Sequence, residues 1–457
     1  MRYSLTFLEH LHKALTDHLF CSSGHERAAY LLCGLSETDT ETRLLAREVL
    51  PVADADVLQS SAVHMKIAQS SYLRAIKRAD ATRTSFVFVH SHPPEVRNHS
   101  TQDDREESSL FRTAYARIHH GGAHGSVVFS TPDRPVGRVW IDDGSYRPMD
   151  VVRVVGNRFR FHYAIEHPLA DLTIFDRQIR AFGKDLQVLL KRLTIGVVGA
   201  GGTGSCVAEQ MIRLGAGHLL VADPQKLTDS NVTRVYGSAI RDIGMAKVTL
   251  IEKLAERIGL HTRVDTIERS VRFESAIREF RKCDVIFACT DDQLGRSLLN
   301  RLSIYYCLPV LDLGVRIDSD KGLLHSVQGR VTTLLPGYAC LFCRKRLSSE
   351  RIRVESMSPE EAENLRKDGY VPELPDPDPA VIPFTTAVAA AAISELLHRL
   401  TGFRGDDVNS TELIHRFDVN KLGKNQTPPD GGCFCGDRTK WGRGDCRLFL
   451  DTTWPPE

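Results

Sequence analysis

The sequence lacks most of the features that would place it at a membrane, on nucleic acid or outside the cell. No apolar run approaches the ~20 residues that a membrane-spanning helix needs. The N-terminal stretch MRYSLTFLEHLHKAL is amphipathic, contains acidic residues and lacks the apolar core of a signal peptide. The net charge of the 457-residue chain is only +1, which argues against nucleic acids and membrane surfaces as partners. We therefore expect a cytoplasmic protein of about two or three domains.

A disulfide framework is also not expected. The eleven cysteines are an odd number, and a reducing cytoplasm disfavours disulfide bonds. Four of the cysteines form two short-spaced pairs, Cys340-Leu-Phe-Cys343 and Cys433-Phe-Cys435. Four thiolates in two such pairs suit a closed, structural, tetrahedral zinc site. Free thiols are the alternative, and Cys446 is a further candidate ligand.

The middle of the chain contains a strand, a glycine loop, a helix and a second strand. The apolar run Ile195–Val198 predicts a buried strand, and apolar residues at helical spacing follow from Cys206 to Leu214. The loop and the end of the second strand carry the characteristic residues Gly199, Gly201, Gly202, Gly204 and Asp223. Glycines let the backbone approach a phosphate, and a strand-end acid can bond a ribose hydroxyl. This unit predicts a nucleotide site, with NAD as the obvious competitor.

Polar residues around this unit favour phosphate chemistry. One precedes the glycine loop and four follow it: Arg177, Asn231, Arg234, Lys247 and Asp291. When a carboxylate attacks the α-phosphate of ATP, charge builds up on the phosphates, and Lys, Arg and Mg²⁺ stabilise such charge. Asp291 ends a strand and suits a Mg²⁺ anchor. Each residue alone has an ordinary structural interpretation, but their order and spacing fit one chemistry.

In this order, residues 166–436 resemble the ThiF/MoeB and ubiquitin-activating superfamily, which adenylates the C-terminal glycine of a ubiquitin-fold protein. The resemblance implies a Rossmann-like adenylation domain in which the glycines form the nucleotide loop, Asp223 holds the ribose and Asp291 holds Mg²⁺. It also implies that three residues contact the phosphates of ATP: Asn231, Arg234 and Lys247. Arg177 matches an arginine that reaches into the partner subunit's site, which implies a homodimer. A dehydrogenase would not explain this set of charged residues.

The resemblance extends to the cysteine pairs, with two departures. The family has two CxxC pairs at these places, whereas the second pair here is CxC. Many activating enzymes carry a thioester cysteine on a crossover loop, here residues 344–382, and this stretch contains none. Direct transfer of the adenylate to a partner is therefore expected, and a conjugating enzyme is a candidate partner. The alternative is an oxyester on one of the serines of the loop, which are Ser348, Ser349, Ser356 and Ser358.

The first third of the chain carries three candidate metal ligands. Ser85–His92 is a strand by β-propensity, so His90 and His92 present two imidazoles to one face. A helix is predicted to begin at Ser100-Thr-Gln-Asp103, with Asp103 facing back toward the end of the strand. Two histidines and one aspartate leave the fourth tetrahedral position open, as in a catalytic zinc site. The alternative is a capping box beside surface histidines.

The joint pattern resembles the metal-binding signature of the JAMM (MPN/JAB) metalloproteases. These enzymes hydrolyse bonds at the C-terminus of ubiquitin or ubiquitin-like proteins. The resemblance implies that Glu26 is the general acid/base and that Ser100 helps to hold the oxyanion, although the spacing from Glu26 to Gly34 is slightly longer than usual. His99, beside Ser100, is expected to be a solvated polar residue.

These features predict an α/β protein with a JAMM-like domain at 1–165, a ThiF-type domain with a structural zinc at 166–436, and a tail at 437–457. Such fusions resemble those of bacterial ubiquitin-like pathways, which can serve antiphage defence. The expected partner is a ubiquitin-like protein with a C-terminal glycine, which the chain would adenylate and also trim or remove from targets. Activation of a sulfur carrier for cofactor or cysteine biosynthesis is the alternative. A scaffold with degenerate sites is a third, and the near-complete motifs argue against it.

Overall fold

The structure is a computed structural model that describes residues 1–21, 25–61, 65–165, 172–358, 361, 364, 379–406 and 410–454. The chain divides into two compact units. The first comprises Met1–Pro168, Tyr305–Cys307 and Thr439–Arg447, and the second comprises Leu169–Ile304, Leu308–Arg438 and Leu448–Glu457. Among the described residues, no helix is both long enough and apolar enough to cross a membrane.

The first unit is built on a mixed β-sheet. Its strands and those of a small separate hairpin (β4 and β5) are β1 Arg2–Leu8, β2 Ala28–Glu37, β3 Glu41–Pro51, β4 Val57–Ser60, β5 Met65–Ile67, β6 Ser85–Ser91, β7 His124–Phe129, β8 Pro135–Trp140, β9 Tyr146–Pro148, β10 Val151–Val155 and β11 Phe159–Tyr163. In the described chain the sheet order is β11-β10-β1-β3-β2-β6-β7-β8-β9. β6 and β7 are parallel neighbours, and β2 and β8 flank them in antiparallel pairing.

Three helices cover the two faces of this sheet: α1 Glu9–Leu19, α2 Gln69–Thr82 and α3 Thr101–Arg117. One core joins Leu15 and Leu19 of α1 to residues such as Val87 and Val127 on one face. The other core joins Ile76 of α2 and Phe111 of α3 to the opposite face. The alternation of strand side chains between two faces explains this division, because both faces are apolar and need cover. α3 therefore lies over the strands that surround β6.

Residues 439–447 of the tail belong to the first unit and lie alongside the end of β2. Gly444 forms a parallel bridge with Leu35, and the Asp445 amide donates to the Leu35 carbonyl at 2.6 Å. The two backbones approach so closely that a Cβ on Gly34 would lie 2.0 Å from the carbonyl oxygen of Gly442. Glycine is therefore required at this contact.

The second unit contains a sheet with the order β14-β13-β12-β15-β16-β17-β18-β19 in the described chain. Its strands are β12 Thr194–Val198, β13 His218–Ala222, β14 Arg263–Ile267, β15 Val285–Ala288, β16 Val310–Asp320, β17 Leu323–Leu334, β18 Glu412–Arg416 and β19 Lys421–Lys424. The strands from β14 to β16 are parallel, and the remainder pair antiparallel. Because parallel strands share one carboxyl edge, the loops after them converge there.

The helices described in this unit are α4 Asp176–Phe182, α5 Lys184–Leu190, α6 Gly202–Arg213, α7 Asp229–Val232, α8 Lys247–Ile258, α9 Glu274–Glu279, α10 Gln293–Tyr306, α11 Ser349–Glu355 and α12 Ile382–Thr401. α6 begins inside the glycine loop, four residues earlier than the apolar pattern predicted. Gly402, the residue after α12, has the left-handed φ of 75° that favours glycine and ends the helix. The α/β class and the Rossmann-like arrangement are as expected.

Candidate metal and nucleotide sites

The three predicted ligands of the first unit lie together. The Nε2 atoms of His90 and His92 are 3.0 Å apart, and they lie 3.2 Å and 3.4 Å from the two carboxylate oxygens of Asp103. His92 comes one residue after β6, which ends at Ser91 and not at the second histidine as predicted. Both histidines are buried. The two imidazoles nevertheless face the same point, as the spacing predicted.

These distances fit a zinc ion. Nitrogen and oxygen ligands at ~2.0–2.1 Å from tetrahedral zinc are about 3.3 Å from one another. The observed separations between the three donors of His90, His92 and Asp103 are 3.0–3.4 Å. The donor set would leave one coordination position open.

Asp103 is fixed by the helix that carries it. Ser100 is the N-cap of α3, and its hydroxyl accepts from the Asp103 amide at 3.2 Å. Asp103 Oδ2 accepts in return from the Ser100 amide at 2.5 Å and hydroxyl at 2.8 Å. The capping box and the ligand set are therefore both present, and they use the same aspartate. Burial would raise the pKa of Asp103, but hydrogen bonds from His90 and His92 hold it well below its usual range.

Glu26 and His99 both lie near this cluster. Glu26 precedes β2, is half-buried, and acts electrostatically on His90, which pairs in register with Ala28. His99 is not solvated as predicted, because only 8% of its side chain is exposed. Its Nε2 lies 3.2 Å from the Ser126 hydroxyl, and burial lowers the pKa of His99 to about 2. This imidazole is therefore neutral.

The glycine loop of the second unit follows β12 at the carboxyl edge of the sheet. Gly199 has a φ of +92°, which favours glycine. A Cβ on Gly204 would lie 1.7 Å from the carbonyl oxygen of Gly199, so the first turn of α6 closes tightly against the loop. Gly202 packs against the side chain of Arg234, and a Cβ on Gly201 would meet nothing within 4 Å. Space for a ligand is therefore present beside Gly201.

Asp223 supports the glycine loop directly. Its Oδ2 accepts from the Ala200 amide at 2.7 Å, and its Oδ1 accepts from the Gln225 amide at 2.8 Å. Burial raises the pKa of Asp223, against the effects of Lys247 and of these two amides. The predicted contact with a ribose remains a prediction.

The predicted phosphate contacts cluster beside this acid. Lys247 is buried at the start of α8, and its Nζ donates to Gln225 Oε1 at 2.7 Å. Burial lowers the pKa of Lys247, and the charges of Asp223, Arg234 and Asp291 act on it as well. One carboxyl edge thus brings together residues that are up to 92 positions apart (199 to 291). Asn231 is buried in α7, and the exposed Asp291 follows β15.

The four paired cysteines of the second unit also meet. The sulfur of Cys340 lies 3.7 Å from that of Cys343 and 3.5 Å from that of Cys433, and Cys343 lies 3.4 Å from Cys435. Sulfurs at ~2.3 Å from a tetrahedral zinc are about 3.8 Å apart, so the donor set fits this ion. The CxC spacing is therefore compatible with a four-cysteine cluster. Cys446 is exposed, belongs to the first unit, and is not a member of this cluster.

Comparison with known proteins identifies the second unit. The family model described as "ThiF family" matches residues 175–430, which is more than half of the chain. The chain belongs to the ThiF family. The predicted competitor, a dehydrogenase, is thereby set aside. The matched range includes the exposed Arg177 of α4. It also includes the glycine loop and the predicted phosphate and Mg²⁺ contacts at the carboxyl edge of the sheet.

Curated relatives are about a quarter identical to this chain over the stretches that align. The adenylyltransferase and sulfurtransferase MOCS3 of Drosophila persimilis is 25% identical over 38% of this chain and 38% of its own length. The sulfur carrier protein adenylyltransferase of Thermus thermophilus is 26% identical over 35% of this chain and 59% of its own. The chain thus spans less than two thirds of either relative. Escherichia coli MccB with MccA-N7isoASN, a solved structure, covers 58% of this chain and 75% of its own at 14% identity and a TM-score of 0.47.

The start of the ThiF crossover is fastened beside Asp291. Glu355 of α11 accepts from the Leu294 amide at 2.7 Å, in the first turn of α10. Of the four serines considered for an oxyester, Ser348 caps α11, Ser356 donates to the Arg353 carbonyl at 2.7 Å, and Ser358 contacts Glu361. Ser349 is the first residue of α11. Residues 359–360, 362–363 and 365–378 of the crossover lie outside the described residues.

Three supporting residues were missed in the sequence. Gln225 holds Lys247, Glu355 ties α11 to α10, and Glu107 forms a buried hub beside the metal ligands. A signal existed only for Glu107, because it follows Asp103 by four positions and so lies on the same helix face. Gln225 and Glu355 meet their partners only through the tertiary fold.

Proposed function

We propose that this chain adenylates the C-terminal glycine of a ubiquitin-like protein and hydrolyses bonds at the same terminus with its first unit. The observation that carries the proposal is the grouping of Lys247, Arg234 and Asp291 around the glycine loop in a ThiF-family sheet. ATP is the nucleotide that this charge pattern suits, because adenylation needs cations around the phosphates. A bacterial ubiquitin-like conjugation system, with a role in antiphage defence, is the proposed setting.

In the adenylation step, a carboxylate oxygen of the terminal glycine attacks the α-phosphorus of ATP. The bond to the bridging oxygen breaks, pyrophosphate leaves, and a mixed anhydride with AMP remains. Lys247 and Arg234 are the proposed partners of the phosphate charges, and Asp291 is the proposed holder of Mg²⁺. Arg177 is proposed to act in the site of a second copy in a homodimer.

The first unit is proposed to be a zinc hydrolase of the same substrate. His90, His92 and Asp103 would hold the ion, which supplies Lewis-acid chemistry at the scissile carbonyl. Glu26 is proposed to accept and return the proton, and the Ser100 hydroxyl to exchange its hydrogen bond to Asp103 Oδ2 for one to the oxyanion. The structural zinc is proposed for the four-cysteine cluster.

The test of adenylation is ATP–pyrophosphate exchange with a panel of ubiquitin-like proteins that end in glycine. We expect exchange with the wild type and its loss in Asp291→Ala, because the Mg²⁺ ligand is removed. Asp320→Ala is the matched control, since Asp320 is exposed at the far end of β16. If the protein binds ATP but no candidate supports exchange, the proposed substrate class is wrong. Absence of ATP binding would overturn the activating-enzyme proposal.

The test of hydrolysis offers precursors of the same proteins, extended beyond the glycine, to wild type, Glu26→Gln and His90→Ala. We expect cleavage only with the wild type. Cleavage by His90→Ala at the wild-type rate would exclude a metal mechanism at this site.

Sulfur-carrier activation is the second candidate. It is favoured by the relatives, which include a sulfur carrier protein adenylyltransferase, and the absence of cysteine from residues 344–382 fits it as well as direct transfer. The product distinguishes the two: a thiocarboxylate on the partner would favour sulfur transfer, and a lysine or serine conjugate would favour conjugation.

A further inference from the structure

A buried carboxylate lies one helical turn beyond the metal ligand Asp103. Glu107 of α3 is only 2% exposed at its side chain. Its Oε2 accepts from Trp140 Nε1 at 3.0 Å, from Arg138 Nε at 3.0 Å, and from the Ser126 hydroxyl. Ser126 belongs to β7, the parallel neighbour of β6, and Arg138 and Trp140 belong to β8, the strand beyond β7. Glu107 therefore joins α3 to the part of the sheet that carries the two histidines.

Arg138 fixes the rotation of α3 about its axis. Its guanidinium binds Glu107 and also Asp104, in the turn before it. The arginine is buried, with 4% of its side chain exposed. Two carboxylates on adjacent turns held by one cation allow the helix few orientations. Asp103 lies directly before Asp104, so its direction is determined by the same contact.

The other end of the Ser100–Asp103 turn is held by the same group. His99 immediately precedes Ser100, and its Nε2 lies 3.2 Å from the Ser126 hydroxyl that donates to Glu107. His99 Nε2 also lies 3.9 Å from Glu107 Oε1, a buried atom that has no hydrogen-bond partner among the described residues. The turn with the oxyanion serine and the metal aspartate is thus bounded by His99 before it and Glu107 after it.

We propose that Glu107 is a positioning residue of the metal centre, which through Arg138 and the Ser126–His99 link holds Ser100 and Asp103 in place for the ion. This inference rests on the proposed zinc site. It explains why an ion pair is buried here at all, since buried pairs give little net stability and are costly to desolvate. It also gives His99 a function that needs no contact with substrate. Supporting groups of this kind typically change metal affinity by ~10–100-fold when removed.

The experiment measures Zn²⁺ and Co²⁺ affinity of the full chain by competition with a chelator. The His90→Ala protein gives the background of the four-cysteine cluster, so the difference reports the imidazole site. We expect Glu107→Gln to bind the metal about 10-fold more weakly and to shift the Co²⁺ absorption spectrum. Glu106→Gln, at the exposed preceding position of α3, is the matched control and should bind the metal like the wild type.

A merely structural role would lower the melting temperature of the metal-free protein and leave the affinity and the Co²⁺ spectrum unchanged. Because Glu107→Gln leaves Arg138 buried without its main partner, Ser126→Ala is measured beside it, and we expect a smaller loss of affinity there. If Glu107→Gln and Ser126→Ala both fold and both keep the wild-type metal affinity and Co²⁺ spectrum, the positioning role of Glu107 is overturned and the proposed zinc site is not. A wild-type protein that binds no more metal than His90→Ala would overturn the zinc hydrolase and this inference together.

Discussion

At the residue scale, the candidate metal site and the candidate nucleotide site differ in the contacts that hold their acidic side chains. Asp103 shares a capping box with the N-cap Ser100, so the local sequence already brings these two side chains together. In Asp223, in contrast, both carboxylate oxygens accept hydrogen bonds from backbone amides, one in the glycine loop and one at Gln225. Its first function in the fold is therefore to hold the loop, and a ribose would have to share these oxygens. Single substitutions can separate such structural contacts from ligand contacts.

Gly204 and Gly201 form a matched pair for this purpose. Gly204→Ala should destabilise the protein by about 1–3 kcal/mol, because its Cβ would lie 1.7 Å from the Gly199 carbonyl oxygen. Gly201→Ala has open space within 4 Å and should melt like the wild type, yet bind ATP more weakly because the methyl group occupies the ligand space. Thermal melting and ATP titration check both. Equal melting temperatures for the two variants would contradict the prediction.

Glu41 of β3 predicts a pH-dependent contribution to stability. Burial would raise its pKa, but the guanidinium groups of Arg153, Arg43 and Arg2 lower it far below the ordinary value. Because the pKa is lower in the folded than in the unfolded state, the stabilisation is complete above the unfolded pKa and is lost as the pH falls toward the folded one.

Glu41→Gln should therefore cost about 3–5 kcal/mol at neutral pH, since it leaves buried arginines without their carboxylate. The difference from the wild type should shrink in acid. Denaturant unfolding at neutral pH and near pH 3 measures this, with the exposed Glu37→Gln as control. A stability difference that grows in acid would contradict the predicted lowering of the Glu41 pKa in the folded state.

At the scale of elements, short segments far apart in sequence are joined by a few specific contacts. The turn after β17 carries Cys340 and Cys343. A separate turn carries Cys433 and Cys435, about 90 positions after Cys343, and the four sulfurs lie together. The crossover helix α11 is fastened to α10 by Glu355.

Removal of one sulfur should release the metal of the four-cysteine cluster. Cys343→Ser is expected to contain about one zinc fewer per chain and to melt at a lower temperature, because metal binding to a folded site is folding free energy. Cys446→Ser is the control, since Cys446 is exposed and outside the cluster. Metal analysis and calorimetry provide the measurement. Equal zinc content in the two variants would mean that the cluster is not a metal site.

At the scale of the whole molecule, the chain combines two α/β units, and the order of segments does not follow the order of units. Residues 439–447 belong to the first unit although they follow the ThiF match at 175–430. A chain cut between the units would therefore lose part of the first one. Functional tests are best made on the full chain.

The proposed homodimer predicts complementation between two inactive variants. Arg177→Ala and Asp291→Ala should each lose ATP–pyrophosphate exchange. If Arg177 acts in the partner's site, a mixed dimer has one complete site, because one subunit supplies Asp291 and the other Arg177. We expect activity to return when the two proteins are unfolded and refolded together. No recovery, with dimers present by sedimentation, would place Arg177 in its own subunit's site or outside catalysis.

The sequence by itself determined the ligand types and most of the elements. Period-two spacing paired His90 with His92, the Ser100 cap placed Asp103 in the first turn of α3, and strand–glycine–helix patterning located the glycine loop, because these rules act over a few residues. They could not show that His99 is buried, since its solvation depends on what covers it. The strand β6 also ended one residue before expected.

Only the tertiary structure decided which distant residues meet. It placed Gln225 against Lys247, Glu107 among three residues of two strands, and the 439–447 segment beside β2. Apart from the position of Glu107 four residues after Asp103, none of these contacts has a local signal, because each depends on which distant segments the fold brings together. The candidate site residues are therefore recognisable in short motifs, whereas the contacts that support them arise from long-range packing.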